Sequence, residues 1–287
     1  MRAFVLSGGG NRGALQVGAL EVLLEHGISP DLLVGVSAGS VNAALLASNP
    51  TLDGVHAMKQ FWLDDLPKHT PALNRGEAIL RLALGRNSLF NEEARQYFVQ
   101  NWEIGKQRMG DFVHPRLYIT AVRLSDGEQR IFGDDPDDQI GDAVLSSTAL
   151  PPLFSPWRVD GSEYVDGGVC SNLPLRAAVE RGADEIYALN LVRPFDNTGI
   201  RLNGIFSIGV RALGSLLDYT TELEIEVVRQ TPTLQLHLMN LKAKTAPPVW
   251  DLSHTEEMTE TGRQVAEQYL TVLNQQKEVL RAPAIAE

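Results

Sequence analysis

Cysteine is almost missing: Cys170 stands alone among 287 residues. An internal disulfide is therefore impossible, and a thiolate metal cluster within one chain is excluded. Basic residues are also short in supply, 25 Lys and Arg against 36 Asp and Glu, for a formal net charge of −11. No Lys/Arg block supplies the basic face that nucleic acid or an anionic bilayer requires, so neither is expected as a partner. Long apolar runs are absent too. The best stretch, Leu32 to Ala47, is broken by Ser37, Ser40 and Asn42 and falls short of a membrane span. The "AFVL" after Arg2 is too short for the core of a secretory signal. These absences point to a cytoplasmic protein. Transient adsorption to a membrane surface through a small apolar patch stays open, because it needs no charge.

What is present, 44% hydrophobic and 21% charged residues, is the composition of a soluble globular protein long enough for one large core. No internal repeat or low-complexity linker divides the chain. A single domain over residues 1–287 is expected, with residues 193–287 a helix–strand–helix portion of weaker pattern. The sequence assigns no oligomeric state.

The opening reads β-α-β-α. Arg2–Leu6 is a buried strand, and Ala14–His26 a helix with Leu15, Ala19, Val22 and Leu23 on one face and Gly27 as its stop. Leu32–Val36 is a second strand, and a helix follows through "AGSVNAALLAS". Helical crossovers return the chain in the same direction, so a mostly parallel central sheet flanked by helices is expected. Residues 55–111 read as helical, with "VHAMKQFWLDDL" and "NEEARQYFVQNW" the clearer pieces. Leu117–Leu124 and Gln129–Phe132 flank a hairpin turn, "SDGE". A proline-interrupted segment, Ser147–Trp157, precedes a strand ending in "EYVDGG". Asn172 sits where a helix cap belongs, with Pro174 near the first turn and Gly182 after the last. Strands at "EIYALNL" and "TLQLHL" and helices near Ile205–Val227 and Glu256–Leu280 complete the chain.

Three strand ends carry chemistry. The first ends in a glycine loop, the second in "GVSAGS", and a later one in "DGG" with Asp166 at its tip. If all three strands run parallel, their loops emerge on one edge, where open α/β sheets place ligands. Ser37 is the centre of G-x-S-x-G, flanked by Gly35 and Gly39, behind a β-branched strand and ahead of a helix. A nucleophile elbow needs those three features. Gly8, Gly10 and Gly13 fit the dinucleotide spacing G-x-G-x-x-G. The acidic residue that would hold a ribose is misplaced, however: Asp31 precedes the second strand, whose end is taken by Ser37. The Gly8–Gly10 amides are better explained as donors to an oxyanion on a carbonyl attacked by Ser37. Arg12 either adds positive potential there or is a surface cation. A histidine base would have to be His237, within a strand-like run, or His254, in a loop after "WDLS". A carboxylate base is the simpler choice.

These segments resemble the patatin-like phospholipase family. "GGGNRG" at 8–13, "GVSAGS" at 35–40 and "DGG" at 166–168 look like its three signatures, and "STALPPLFSPW" leading into "YVDGGVCSNLPL" resembles its approach to an aspartate. The likeness spans residues 2–192. It implies a patatin-like α/β/α sandwich and a lipid acyl hydrolase with a Ser37–Asp166 dyad. Ser37 would be the nucleophile and Asp166 the base. Gly8, Gly9, Gly10 and Ala38 would form the oxyanion hole, with Arg12, Gly13, Gly35, Gly39, Gly167 and Gly168 in support. No metal or cofactor is implied. Burial behind "LPPLF" is expected to raise the pKa of Asp166. Rival readings are a soluble carboxylesterase or thioesterase with the same dyad, a non-catalytic lipid-binding relative and, more distantly, a dinucleotide-dependent oxidoreductase. Of the remaining features, Cys170 is read as a small packing residue rather than a pocket residue. "GDDPDD" is read as a solvated turn rather than a calcium loop. "IFSIGVRALGSLLDY" either covers an acyl channel, docks on lipid or packs in the core.

Overall fold

The computed structural model describes residues 1–70, 75–90, 95, 101–192, 205–245 and 247–281. An eight-stranded sheet has the order β5-β6-β3-β2-β1-β7-β8, with β4 paired to β3. The strands are β1 (Arg2–Leu6), β2 (Leu32–Gly35), β3 (Arg116–Arg123), β4 (Gln129–Phe132), β5 (Trp157–Val159), β6 (Ser162–Asp166), β7 (Glu185–Val192) and β8 (Gln235–Lys242). Five of them, β3-β2-β1-β7-β8, run parallel. β4, β5 and β6 pair antiparallel at the β3 end. The mostly parallel sheet is as expected.

The helices are α1 (Gly13–Glu25), α2 (Ala38–Ser48), α3 (Leu52–Gln60), α4 (Leu66–His69), α5 (Arg75–Ala83), α6 (Ile140–Ser147), α7 (Leu175–Glu180), α8 (Ile205–Arg229) and α9 (Thr255–Arg281). A π-helical turn, Phe61–Asp65, joins α3 to α4. The helix expected over "NEEARQYFVQNW" falls largely outside the described residues, as does the loop beyond Arg193.

Alternation along β1 divides the core in two. Phe4 and Leu6 face one side with residues of α1, α2 and α9, whereas Ala3 and Val5 face the other with residues of α7 and α8. Three layers result. α1 departs from the expected one-faced helix: residues 13–20, 22 and 23 are all buried, because it lies between the sheet and α9. That crossing is close. A Cβ on Gly18 would overlap the Thr259 carbonyl, and one on Gly262 would overlap that of Leu15, so both backbones meet through glycine.

α6 was not anticipated, and neither was the three-residue β5. The acidic turn is exposed over residues 134–137, as expected of a solvated turn, and only Asp138 turns inward. Asp134 pairs with Arg181 and Asp137 with Arg108, while the buried Asp138 accepts from Arg130 at 2.5 Å.

Candidate active site

β1 is flanked by β2 on one side and β7 on the other, so a crevice opens where the connections diverge. The glycine loop leaves β1 there, and Ser37 follows β2. Ser37 adopts φ 53°, ψ −125°, a left-handed conformation that costs a side-chain-bearing residue about 1–3 kcal/mol. Surrounding contacts hold it. The Ser37 amide donates to Ser147 Oγ at 2.8 Å, and that hydroxyl donates to the Thr120 carbonyl at 2.7 Å. The turn is so tight that a Cβ on Gly35 would lie 2.5 Å from the Gly39 carbonyl oxygen. α2 begins at Ala38, immediately behind the hydroxyl.

Asp166 reaches the same place by a different route from the one expected. β6 runs antiparallel to β3, so the parallel-edge argument is overturned for this residue. β3 outruns its neighbour: β2 pairs with it only as far as Ile119, and β6 pairs with Ala121 to Arg123. The chain therefore comes down past the end of β2 and stops beside Ser37. Gly167 turns it against the Thr120 carbonyl, where no side chain would fit.

Asp166 is 2% exposed, and its Oδ1 accepts from the Gly168 amide at 2.8 Å. Burial raises its pKa to about 6, while the nearby Ser37 hydroxyl and the Gly168 amide pull the other way.

The glycine loop rests on a buried polar chain. Trp62 Nε1 donates to Asn42 Oδ1 at 2.7 Å, Asn42 Nδ2 donates to Gln16 Oε1 at 2.9 Å, and Gln16 Nε2 donates to the Ser7 carbonyl at 2.9 Å. The Gly13 position is pressed against the Trp62 ring. One expectation fails here. The Gly8 amide is not available to an oxyanion, because it donates to the Asn172 carbonyl at 3.1 Å. Among the described residues no acceptor takes the amides of Gly9, Gly10 or Ala38. Arg12 lines the cavity and donates from Nε to the Gly9 carbonyl at 3.0 Å.

Asn172 is not the helix cap its position suggested. Its Nδ2 donates to the Gly8 carbonyl at 3.3 Å, and Pro174 takes the cap position of α7. Cys170 is exposed and does not line the cavity, so both readings of it fall. None of the six histidines lines the cavity. His237 stacks on Tyr187 at 4.3 Å, and His254 pairs with Glu257 at 3.3 Å.

Ser37, Asp166 and the loop open into a cavity of about 550 Å³ with predominantly apolar walls. One wall joins the run read as a possible acyl-channel cover, which lies in α8, to a stretch before α9 that the sequence did not single out. Leu213 and Leu217 of α8 and Val249, Trp250 and Leu252 of the segment before α9 all line it. That segment also grips the glycine loop. The Asn11 amide donates to the Val249 carbonyl at 2.9 Å, and Asn11 Nδ2 donates to the carbonyls of Pro248 and Asp251 at 2.9 and 2.7 Å. The only sequence signal was apolar content, which says nothing about which loop a residue covers.

A serine on a strained strand-to-helix turn, a buried carboxylate beside it and unengaged amides at a crevice define an α/β protein of the nucleophile-elbow class. The profile of the family described as patatin-like phospholipase matches residues 4–179. The chain belongs to that family. Among similar proteins, patatin-like phospholipase domain-containing protein 7 of Rattus norvegicus is 29% identical over 190 residues, covering 66% of this chain and 13% of that protein. Lysophospholipase NTE1 of Saccharomyces cerevisiae is 28% identical over 221 residues, covering 71% of this chain and 12% of that protein. The chain thus spans only about an eighth of the length of these relatives. The solved structure of VipD from Legionella pneumophila superposes with a TM-score of 0.46 at 15% identity, covering 94% of this chain and 67% of that one.

Proposed function

We propose that this protein is a cytoplasmic lipid acyl hydrolase of phospholipase A type, built as one catalytic domain and working through a Ser37–Asp166 dyad. The observation that carries the reading is the buried Asp166 beside a strained Ser37 at the floor of an apolar cavity. Continuity of one sheet from β5 to β8 supports the single domain.

The Ser37 hydroxyl attacks an ester carbonyl and passes its proton to Asp166. Charge collects on the former carbonyl oxygen, within reach of the Gly9, Gly10 and Ala38 amides. Such preorganised donors stabilise the transition state more than the ground state. The carbonyl re-forms as the alcohol leaves with the proton from Asp166, and the acyl group remains on Ser37. Water, deprotonated by Asp166, attacks the acyl-enzyme and releases the acid, returning the proton to Ser37. An aspartate of ordinary pKa is a poor base for a hydroxyl. A value near 6 brings proton affinity closer to the working pH, which is how general bases become effective. Every proton has a carrier in this sequence, so no metal or cofactor is called upon.

Transient contact with a lipid surface is part of the same proposal and favours it over a soluble esterase. Ile208, Leu216, Tyr219, Leu223 and Val227 are 48–59% exposed and recur at helical spacing along the outer side of α8, whose other side forms a cavity wall. An acyl chain leaving a lipid surface would meet apolar side chains all the way to Ser37.

Hydrolysis of lysophosphatidylcholine and phosphatidylcholine by the purified protein, beside its Ser37→Ala form, tests the reading. A serine-directed fluorophosphonate should label Ser37, and fatty acid should appear only with the unaltered protein. Undiminished hydrolysis by Ser37→Ala, or labelling elsewhere, overturns it.

A further inference from the structure

The residue that fixes the glycine loop lies far from it in sequence, and a second residue fixes the first. Asn172 holds Gly8 from both sides: its carbonyl accepts the Gly8 amide at 3.1 Å, and its Nδ2 donates to the Gly8 carbonyl at 3.3 Å. The next two amides along the chain are those of Gly9 and Gly10. Asn172 also fills the space beside Gly8 and Gly168, where added Cβ atoms would lie 2.6 and 2.9 Å from its Oδ1. It therefore touches the loop after β1 and the turn after Asp166 at once.

Asn172 sits on the six-residue bridge from Ser171 to Arg176, and both ends of that bridge are held by Glu224 of α8. One carboxylate oxygen accepts from the Ser171 hydroxyl in a short hydrogen bond, and the other accepts from the Arg176 amide at 2.9 Å. The latter contact supplies the cap for α7 that Asn172 does not. Leu173 and Leu175, inside the bridge, are fully buried, so it cannot swing out without uncovering apolar surface. Burial pushes the Glu224 carboxyl up in pKa, and the Ser171 and Arg176 contacts pull it back. About two and three turns earlier the same helix supplies Leu217 and Leu213 to the cavity wall.

We infer that Asn172 is a positioning residue for the Gly9 and Gly10 amides, and that Glu224 acts through it, clasping the wall helix α8 to the glycine loop. The inference rests on the proposed acyl-transfer reading for its kinetic consequence, though the clasp itself does not. Asn172 borders the cavity and Glu224 does not, and neither is hydrogen-bonded to Ser37 or Asp166. The geometric argument is that an amide donor is useful only within a few tenths of an ångström of the oxyanion position, and a misplacement of about 1 Å can cost about 100-fold in rate.

The variants Asn172→Ala, Glu224→Ala, Glu224→Gln and the double alanine test this, each first shown folded by its urea midpoint. Hydrogen exchange at the Gly8 amide reads the clasp directly and needs no turnover. Exchange should quicken at least tenfold in both alanine variants, while protection in α1 stays level. Unchanged Gly8 exchange in either variant overturns the clasp, whatever the protein hydrolyses.

The kinetic arm reads positioning. Asn172→Ala should lower kcat by about 100-fold with KM within twofold, and Glu224→Ala by about tenfold. The double variant should be no slower than Asn172→Ala alone, because the inferred route from Glu224 to the loop runs through Asn172. Glu224→Gln, which still accepts from Arg176, should recover most of the loss. Affinity for a trifluoromethyl ketone that forms a tetrahedral oxyanion on serine should fall with kcat, while fatty-acid affinity holds. Multiplicative losses near 1000-fold, a loss carried by KM, or equal weakening of ketone and fatty acid would each overturn the positioning role. A wild-type protein with no esterase activity and no fluorophosphonate labelling, but with the Gly8 exchange response intact, sinks the hydrolase reading and leaves the clasp standing.

Discussion

Asp166→Asn should trade activity for stability, and the trade should depend on pH. The carboxyl is raised from 3.8 to about 6 in the folded protein, chiefly by burial. Between those two values the folded state keeps a proton that the unfolded chain has released. Stability is therefore lost as pH rises through that window, and the charged form is carried at a penalty above it. A difference of about two units, at 1.36 kcal/mol each, amounts to about 3 kcal/mol at pH 8 and about 0.5 kcal/mol at pH 4. Asparagine keeps the shape, accepts from the Gly168 amide with its oxygen and never ionises. Urea unfolding of both proteins from pH 4 to pH 8 should show Asp166→Asn gaining on wild type by about 2–3 kcal/mol across the range, with most of the change below pH 7. Any fixed cost of the amide shifts the whole difference curve without altering its slope. Catalysis moves oppositely: wild-type turnover should fall with an acidic limb near pH 6, and the variant should be almost inactive throughout. Parallel stability curves would mean that solvent reaches Asp166 and that its pKa is ordinary. The proposed base would then lose its physical rationale.

Two further outcomes are expected. Gly10→Ala places a side chain where φ is +61° and its Cβ would lie 2.7 Å from that of Val249; the loop must shift, and loss of a well-placed donor should lower kcat by about 100- to 1000-fold with the fold retained. Full activity in steady-state assay would remove that amide from the oxyanion site. Leu216→Gln with Leu223→Gln should reduce flotation with phosphatidylcholine vesicles and hydrolysis of vesicle lipid by at least fivefold, with turnover of a soluble short-chain ester unchanged; a wild-type dimer that becomes monomeric in this variant would instead make the stripe a protein–protein surface.

What could be read from the sequence was local. The β1 and β2 strands, the glycine loop and the Ser37 elbow are each specified within about 15 consecutive residues, and contiguous patterns report contiguous structure. Asp166 was identified through its neighbours "DGG", yet its approach was misjudged. The direction of β6 depends on the β5–β6 hairpin, and β5 is too short at Trp157–Val159 to leave a period-two signal. Ser147 was hidden because α6 is only eight residues long, rises directly out of an acidic turn and carries Gly141, a poor helix former, in its first turn. Asn172 illustrates a deeper limit. The same residue type in the same position before a proline serves equally well as a cap or as a tertiary tie, and only Gly8, 164 residues away, decides between them. The wall from residues 247–252 was invisible for a similar reason, and the α8 run stayed divided among channel cover, lipid contact and core: leucine, valine and tryptophan look alike whether they fill a core or border a cavity.

The grip of the 247–252 segment on Asn11 gives the family signature and the working unit different extents. A fragment cut at residue 179 would carry every recognisable motif, but β1 would lose its β7 partner, and the loop beyond it would lose three hydrogen-bond acceptors. The portion of the chain that is least recognisable is thus the portion that keeps the most recognisable part in shape. Substitutions accumulating there would alter catalysis without touching a single signature residue.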